Sequence, residues 1–289
     1  MQSAMWSSTS KTGTITQTRG EVWPGLFMGD LLGHVRKADK GKSHCAAGVV
    51  SLPMISMTDF PHLHAPDGGY VFVVTYGRSG STLIQSLLNT LPGYCIRGEN
   101  AGTLRHLHAA HAVLMSNDAF SGFNRQGHET APTVPWYGAE RVDTARYATA
   151  LADTFVREVL TLPPGTRVAG FKEIRHHRDA GNVVDYLHFL TDTFPKARIV
   201  FNTRDHGAVA RSGWWRTMPS GDVARILAEM ESDFAAFAAR APARCVTLRY
   251  DDYCADPDAL RALFDLLDEP FDADLVARVL ERKLVHKGV

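Results

Sequence analysis

One run limits the possible folds more than any other: residues 70–76 (YVFVVTY), then Gly77-Arg78-Ser79-Gly80-Ser81-Thr82, then Leu83, Ile84, Leu87, Leu88 and Leu91 at helical spacing. The first part is β-branched, aromatic and apolar nearly throughout, with Asp67-Gly68-Gly69 before it and Gly77 after it. That pattern suits a strand buried on both faces of a parallel sheet. The leucine stripe predicts a helix with one buried face, stopped by Pro92-Gly93. The turn between them has a direct physical reading. A helix N-terminus leaves N–H groups unpaired and carries a partial positive charge. Glycines there let the backbone approach an anion closely. Ser81 and Thr82 add hydroxyl donors, and Arg78 adds a cation with several donors. A Gly/Ser turn that only connects strand to helix is the bland alternative. The flanking strand and helix favour a phosphate site instead.

The alternation returns later in the chain. Residues 167–174 (RVAGFKEI), 198–203 (RIVFNT) and 245–250 read as strands, and 101–115, 183–193 and 222–239 read as helices. Asp256 is placed to cap a further helix with Pro257 at its first position, its inner face formed by Leu260, Leu263, Phe264 and Leu267. Together these predict an α/β fold of three layers, a mostly parallel central sheet flanked by helices. Residues 116–145, rich in Gly, Asn and Pro with Trp136 and Tyr137, are expected to form an irregular insertion, a lid or a surface loop. Residues 1–60 are expected to be a flexible or poorly ordered leader, and 61–289 the folded domain.

Composition narrows the partners. Lys and Arg total 31 and Asp and Glu total 31, for a formal net charge of +0. A balanced chain has no general attraction to nucleic acid or acidic membranes, so an anion must be captured locally by a few placed groups. The four cysteines, Cys45, Cys95, Cys245 and Cys254, form no CxxC pair. Free thiols in a reducing compartment are the expectation, although Cys245 and Cys254 could pair if oxidised. No apolar run reaches the roughly 18 residues of a membrane span, and a cytoplasmic location is expected. His62 and His64 form an HxH pair without a third ligand at suitable spacing, so no metal is expected.

The loop departs from two common phosphate motifs. It has no Lys before its hydroxyl pair, unlike GxxxxGK[ST], and it is not GxGxxG. GRSGST after a hydrophobic strand resembles the 5′-phosphosulfate loop of sulfotransferases that use 3′-phosphoadenosine 5′-phosphosulfate (PAPS). Residues 198–215 (RIVFNTRDHGAVARSGWW) extend the resemblance, with Arg204 at a strand end and Ser212 eight positions later on an expected helix. The resemblance implies that this pair holds the 3′-phosphate of the nucleotide. Residues 248–269 (LRYDDYCADPDALRALFDLLDE) are similar to a late strand-and-helix stretch of the same family and bear on fold more than chemistry. Arg78 stands where many cytosolic members have Lys, as in the Golgi-type, tyrosyl-protein and bacterial branches. The terminal Arg282-Lys283-Leu284-Val285-His286-Lys287-Gly288 has no clear match to the basic segment of cytosolic members.

The resemblance also implies roles. Gly77, Arg78, Ser79, Gly80, Ser81, Thr82, Arg204 and Ser212 would hold PAPS as co-substrate, without a metal. Two anion pockets would then lie one adenosine apart. Arg78 and Lys172, the latter in FKEI, would stabilise the leaving charge. Glu99, in CIRGEN, would be the general base, as a Gly-Glu at a similar distance is in tyrosyl-protein and bacterial carbohydrate members. His106, His108 and His111 are rival bases, since cytosolic members use a His. Trp214 and Trp215 would either wall a cleft or pack in the core. The acceptor is expected to be a carbohydrate or other small hydroxyl compound. A P-loop kinase or ATPase and a non-catalytic nucleotide-binding protein remain the alternatives.

Overall fold

The apolar run forms β1 (Gly69–Thr75), buried along its whole length, and the other elements are arranged around it. The computed structural model describes residues 59–176 and 182–281. The expected leader, apart from Asp59 and Phe60, and the terminal segment after Glu281 lie outside the described residues.

In chain order the elements are α1 (Pro61–His64), β1, α2 (Ser81–Leu88), β2 (Tyr94–Arg97), α3 (Thr103–Ser116), α4 (Asp118–Gln126), α5 (Thr144–Phe155) and β3 (Val168–Glu173). There follow α6 (Val183–Thr193), β4 (Arg198–Thr203), α7 (His206–Ala210), α8 (Ser220–Arg240), β5 (Cys245–Arg249), α9 (Tyr250–Ala255), α10 (Arg261–Leu267) and α11 (Ala273–Leu280). The sheet has five strands in the order β2-β3-β1-β4-β5, and every pairing is parallel.

Alternation along β1 explains the layers. Tyr70, Phe72 and Val74 face a core shared with residues of α5, α6 and α8, while Val71 and Val73 face a second core shared with α2, α10 and α11. Successive side chains of a strand point to opposite faces, so a strand covered on both sides must be apolar at every position. Burying a ring such as Phe72 contributes about 1.5–3 kcal/mol. The strands pack closely enough that a Cβ on Gly170 of β3 would sit 1.7 Å from the Val71 carbonyl oxygen.

Residues 116–145 are more regular than their composition suggests. They hold α4 and a 3-10 turn at Ala139–Arg141. Asn117 caps α4 by accepting from the Phe120 N–H at 2.9 Å, and Phe120 is buried. Asn124 then ties the helix to the carbonyl oxygens of Ala139 and Val142. Asp256 caps as expected, but by accepting from the Asp258 N–H, and a 3-10 turn (Pro257–Leu260) precedes α10. Cys95, Cys245 and Cys254 are free thiols. Among the described residues no helix is long and apolar enough to cross a membrane.

Candidate active site

β1 delivers its turn to the carboxyl edge of the sheet, where open α/β proteins place their ligands. Gly80 (φ 84°) is the N-cap of α2 and Arg78 (φ 71°) is also left-handed. Gly80 offers α2 no capping side chain, as a helix end that takes an external anion would need. Aromatic rings lie directly on the two glycines. A Cβ on Gly77 would sit 2.2 Å from Trp214 Cζ2, and one on Gly80 would sit 2.0 Å from Tyr250 Cδ2.

A buried polar chain bolts this loop to β4. Ser79 Oγ lies 2.7 Å from Thr75 Oγ1, which donates to the Asn202 carbonyl at 2.6 Å. Asn202 Nδ2 returns a hydrogen bond to the Ser79 carbonyl at 2.8 Å, and Tyr253 donates its hydroxyl to Asn202 Oδ1 at 3.1 Å. The Ser79 hydroxyl therefore faces inward and shapes the loop. Ser81 is buried and Thr82 half-buried in the first turn of α2.

The second expected motif adjoins the first. Arg204 follows β4, and its N–H donates to the Tyr76 hydroxyl at 2.8 Å. That hydroxyl donates to Glu231 Oε1 at 2.6 Å. Burial, and then the Glu231 bond, push the Tyr76 phenol far above its ordinary range, so it stays a neutral donor. Arg204 Nη1 donates to the Arg78 carbonyl at 3.1 Å, and its guanidinium lies 4.4 Å over the Tyr250 ring. Its Nε is buried without a partner among the described residues. Arg78 Nε donates to Ser212 Oγ at 2.8 Å.

Ser212 is not on a helix. α7 ends at Ala210, and Ser212 is extended (φ −118°, ψ 137°). The cause is the next stretch. Trp215 is buried and donates its Nε1–H to the Gly77 carbonyl at 2.9 Å, while Gly213 (φ 57°) lets the chain pass over Arg78. Burying that indole requires the chain to leave the helix early. Trp215 is thus core, and Trp214 is the exposed ring on Gly77.

The third group of expected residues also meets. β2 ends at Arg97, which brings Glu99 to the same edge. Lys172 Nζ is 2.6 Å from Glu99 Oε1, and Arg175 Nη1 is 2.8 Å from Glu99 Oε2. Lys172 is 8% exposed and Arg175 39%. Arg175 also forms an isolated antiparallel bridge with Tyr76, which sets this cluster beside the glycine loop. Sequence reasoning missed Arg175 and Glu173. The available signal was a charged run, KEIR, at the carboxyl end of an otherwise apolar strand.

The rival histidines have other surroundings. His106 is exposed. His108 packs on the rings of Tyr186 and Phe189, and His111 on those of Tyr147 and Phe189. Burial lowers both pKa values. His62 and His64 belong to α1, and among the described residues no cluster of three His, Cys, Asp or Glu could hold a metal ion.

Residues 70–273 match the family model described as "Sulfotransferase family". Among solved structures, the chain is similar to the sulfotransferase domain of the olefin synthase from Synechococcus PCC 7002, with 18% identity and a TM-score of 0.47 over 74% of this chain and 78% of that one. It is also similar to sulfotransferase STF9 from Mycobacterium avium, with 16% identity and a TM-score of 0.41 over 77% of this chain and 70% of that one. No curated protein matches the sequence at a significant level.

Proposed function

The chain belongs to the sulfotransferase family, and from that premise we propose that it moves a sulfuryl group from PAPS to a hydroxyl of a carbohydrate or other small acceptor. The observation that carries this reading is the contact between the two anion motifs through Arg78 and Ser212. The 5′ and 3′ oxygens of a nucleotide leave the same ribose ring. Adjoining pockets fit that better than pockets a whole adenosine apart. The N-terminal end of α2 with Arg78 would take the 5′-phosphosulfate. Arg204, whose buried Nε has no partner among the described residues, and Ser212 would take the 3′-phosphate.

The acceptor oxygen would attack sulfur in line. The bond from sulfur to the bridging oxygen breaks, and its electron pair leaves on the phosphate of adenosine 3′,5′-bisphosphate. Arg78, the loop N–H groups and Lys172 would stabilise that charge. Glu99 would take the acceptor proton. Its two partners differ in a useful way. Arg175 is the exposed one, so an incoming hydroxyl displaces Arg175 from Oε2 while Lys172 stays on Oε1. Protonating Glu99 then weakens its hold on Lys172 as the leaving oxygen gains charge.

The test is calorimetry without metal. Adenosine 3′,5′-bisphosphate is expected to bind about 10- to 100-fold more tightly than AMP, the value of one or two charged hydrogen bonds to the 3′-phosphate. Equal affinities would remove the reading of Arg204 and Ser212. An acceptor screen with labelled PAPS then tests the transfer itself.

A further inference from the structure

Glu173 is given no part in the proposed transfer, yet its carboxylate is buried and fully engaged. It is 3% exposed at the last position of β3. Oε2 accepts the N–H of Asn100 at 3.1 Å and of Gly102 at 2.9 Å. Oε1 accepts the N–H of Ile174 at 2.8 Å and of Arg175 at 3.1 Å, with Arg175 Nη1 at 3.3 Å. One carboxylate thus joins the end of β3 to the segment that carries Glu99.

That segment needs an outside hold. Ala101 (φ 58°) and Gly102 (φ 76°) are both left-handed, and such a conformation at a non-glycine residue is strained. Gly102 begins α3 without a side-chain cap of its own. Glu173 supplies the missing acceptor, and its charge suits the positive end of α3. Burial opposes its ionisation, but the N–H groups of Ile174, Gly102 and Asn100 outweigh it and keep the carboxyl below its ordinary range. A second tie comes from buried Arg105 of α3, which donates to the His176 carbonyl.

Lys172 and Glu173 are neighbours on a strand, so their side chains leave opposite faces of the sheet. Lys172 takes the Glu99 carboxylate from one side, and Glu173 takes the backbone just after Glu99 from the other. We propose that Glu173 is a positioning residue that presets Glu99 against Lys172 by clamping residues 100–102. This rests on Glu99 being the base of the transfer. Glu173 itself touches no reacting atom.

The test compares the wild type, Glu173→Gln, Glu99→Gln and the double variant. Gln keeps the size of Glu but puts an amide NH₂ against one pair of backbone N–H groups. The probes are amide hydrogen exchange over residues 97–105, release of labelled sulfate from PAPS with water as acceptor, and affinity for adenosine 3′,5′-bisphosphate. E173Q is expected to speed exchange in that segment and to slow sulfate release by about 10- to 100-fold, the cost of a misplaced catalytic group. Nucleotide affinity should stay within about twofold of wild type. In the E99Q background the same change should add little further loss, because both act on one proton transfer. A wild-type rate in E173Q, unchanged exchange, or an equal loss in the E99Q background each overturns the proposal. Should E173Q not fold, Glu173→Asp keeps the charge one methylene shorter and is expected to show intermediate losses. Wild-type behaviour in E173D overturns the proposal as well. A wild type that neither binds adenosine 3′,5′-bisphosphate nor releases sulfate removes the transfer reading instead, a result separate from an active wild type that ignores E173Q.

Discussion

Arg78 Nε donates to Ser212 Oγ at 2.8 Å across 134 positions of the chain. The contact follows from the sheet. β1 and β4 are parallel neighbours with Thr75 paired to Asn202, so the segments leaving their carboxyl ends emerge side by side. Two motifs far apart in sequence therefore form one cationic surface. Trp215 and Tyr76 hold the two segments in register through Gly77 and Arg204.

Arg204→Ala should weaken binding of adenosine 3′,5′-bisphosphate by about 1.5–3 kcal/mol and leave AMP binding nearly unchanged, since only the former offers a 3′-phosphate to the charged donor. Titration calorimetry on both nucleotides checks this. An equal loss for both would mean that Arg204 acts by holding the loop through the Arg78 carbonyl.

Gly80→Ala should destabilise the fold by about 1–3 kcal/mol, because φ is 84° there and the new Cβ meets the Tyr250 ring. Gly122→Ala, inside α4 with open space around its Cβ, should instead stabilise by about 0.5–1 kcal/mol. Thermal melts of the two variants should therefore move in opposite directions.

Stability should fall as pH drops below the ordinary histidine value of 6.5. Burial depresses the folded pKa of His108 and His111, so above 6.5 both states are neutral and this contribution is fully present. Below 6.5 the unfolded chain takes up protons before the folded one does, and the contribution is lost as pH falls through the folded values. Melting temperatures across this range should decline in wild type. The decline should be shallower in a His108→Phe, His111→Phe variant, which keeps the ring packing but removes the titration. An unchanged slope would place the sensitivity elsewhere.

Much of the scaffold is readable in one dimension. The helix at Val183–Thr193 and the strand at Arg198–Thr203 match their expected bounds. Their periods are strong, and tertiary packing reinforces them. α4 was less visible because Gly122 and a polar composition hide a helix held by one cap and one buried ring, Asn117 and Phe120. Within the site, Glu99 and Lys172 meet as the order of strands requires. The inward turn of Ser79 and the early end of α7 before Ser212 had no local signal, and the charged run KEIR did not say what Arg175 and Glu173 would meet. Each depends on a partner from another strand.

Local patterning settles the strand–turn–helix unit and the alternation of elements, because periodicity and glycine conformational freedom act over a few residues. Three-dimensional packing decides which strands are neighbours, and therefore which charges meet. Whether Glu99 lies against one cation or two, and whether Arg204 Nε finds a partner among the described residues, follows from contacts between residues dozens to more than a hundred positions apart. Such contacts leave no period in the chain, because their energy comes from burial and hydrogen bonding that exist only once the sheet has formed.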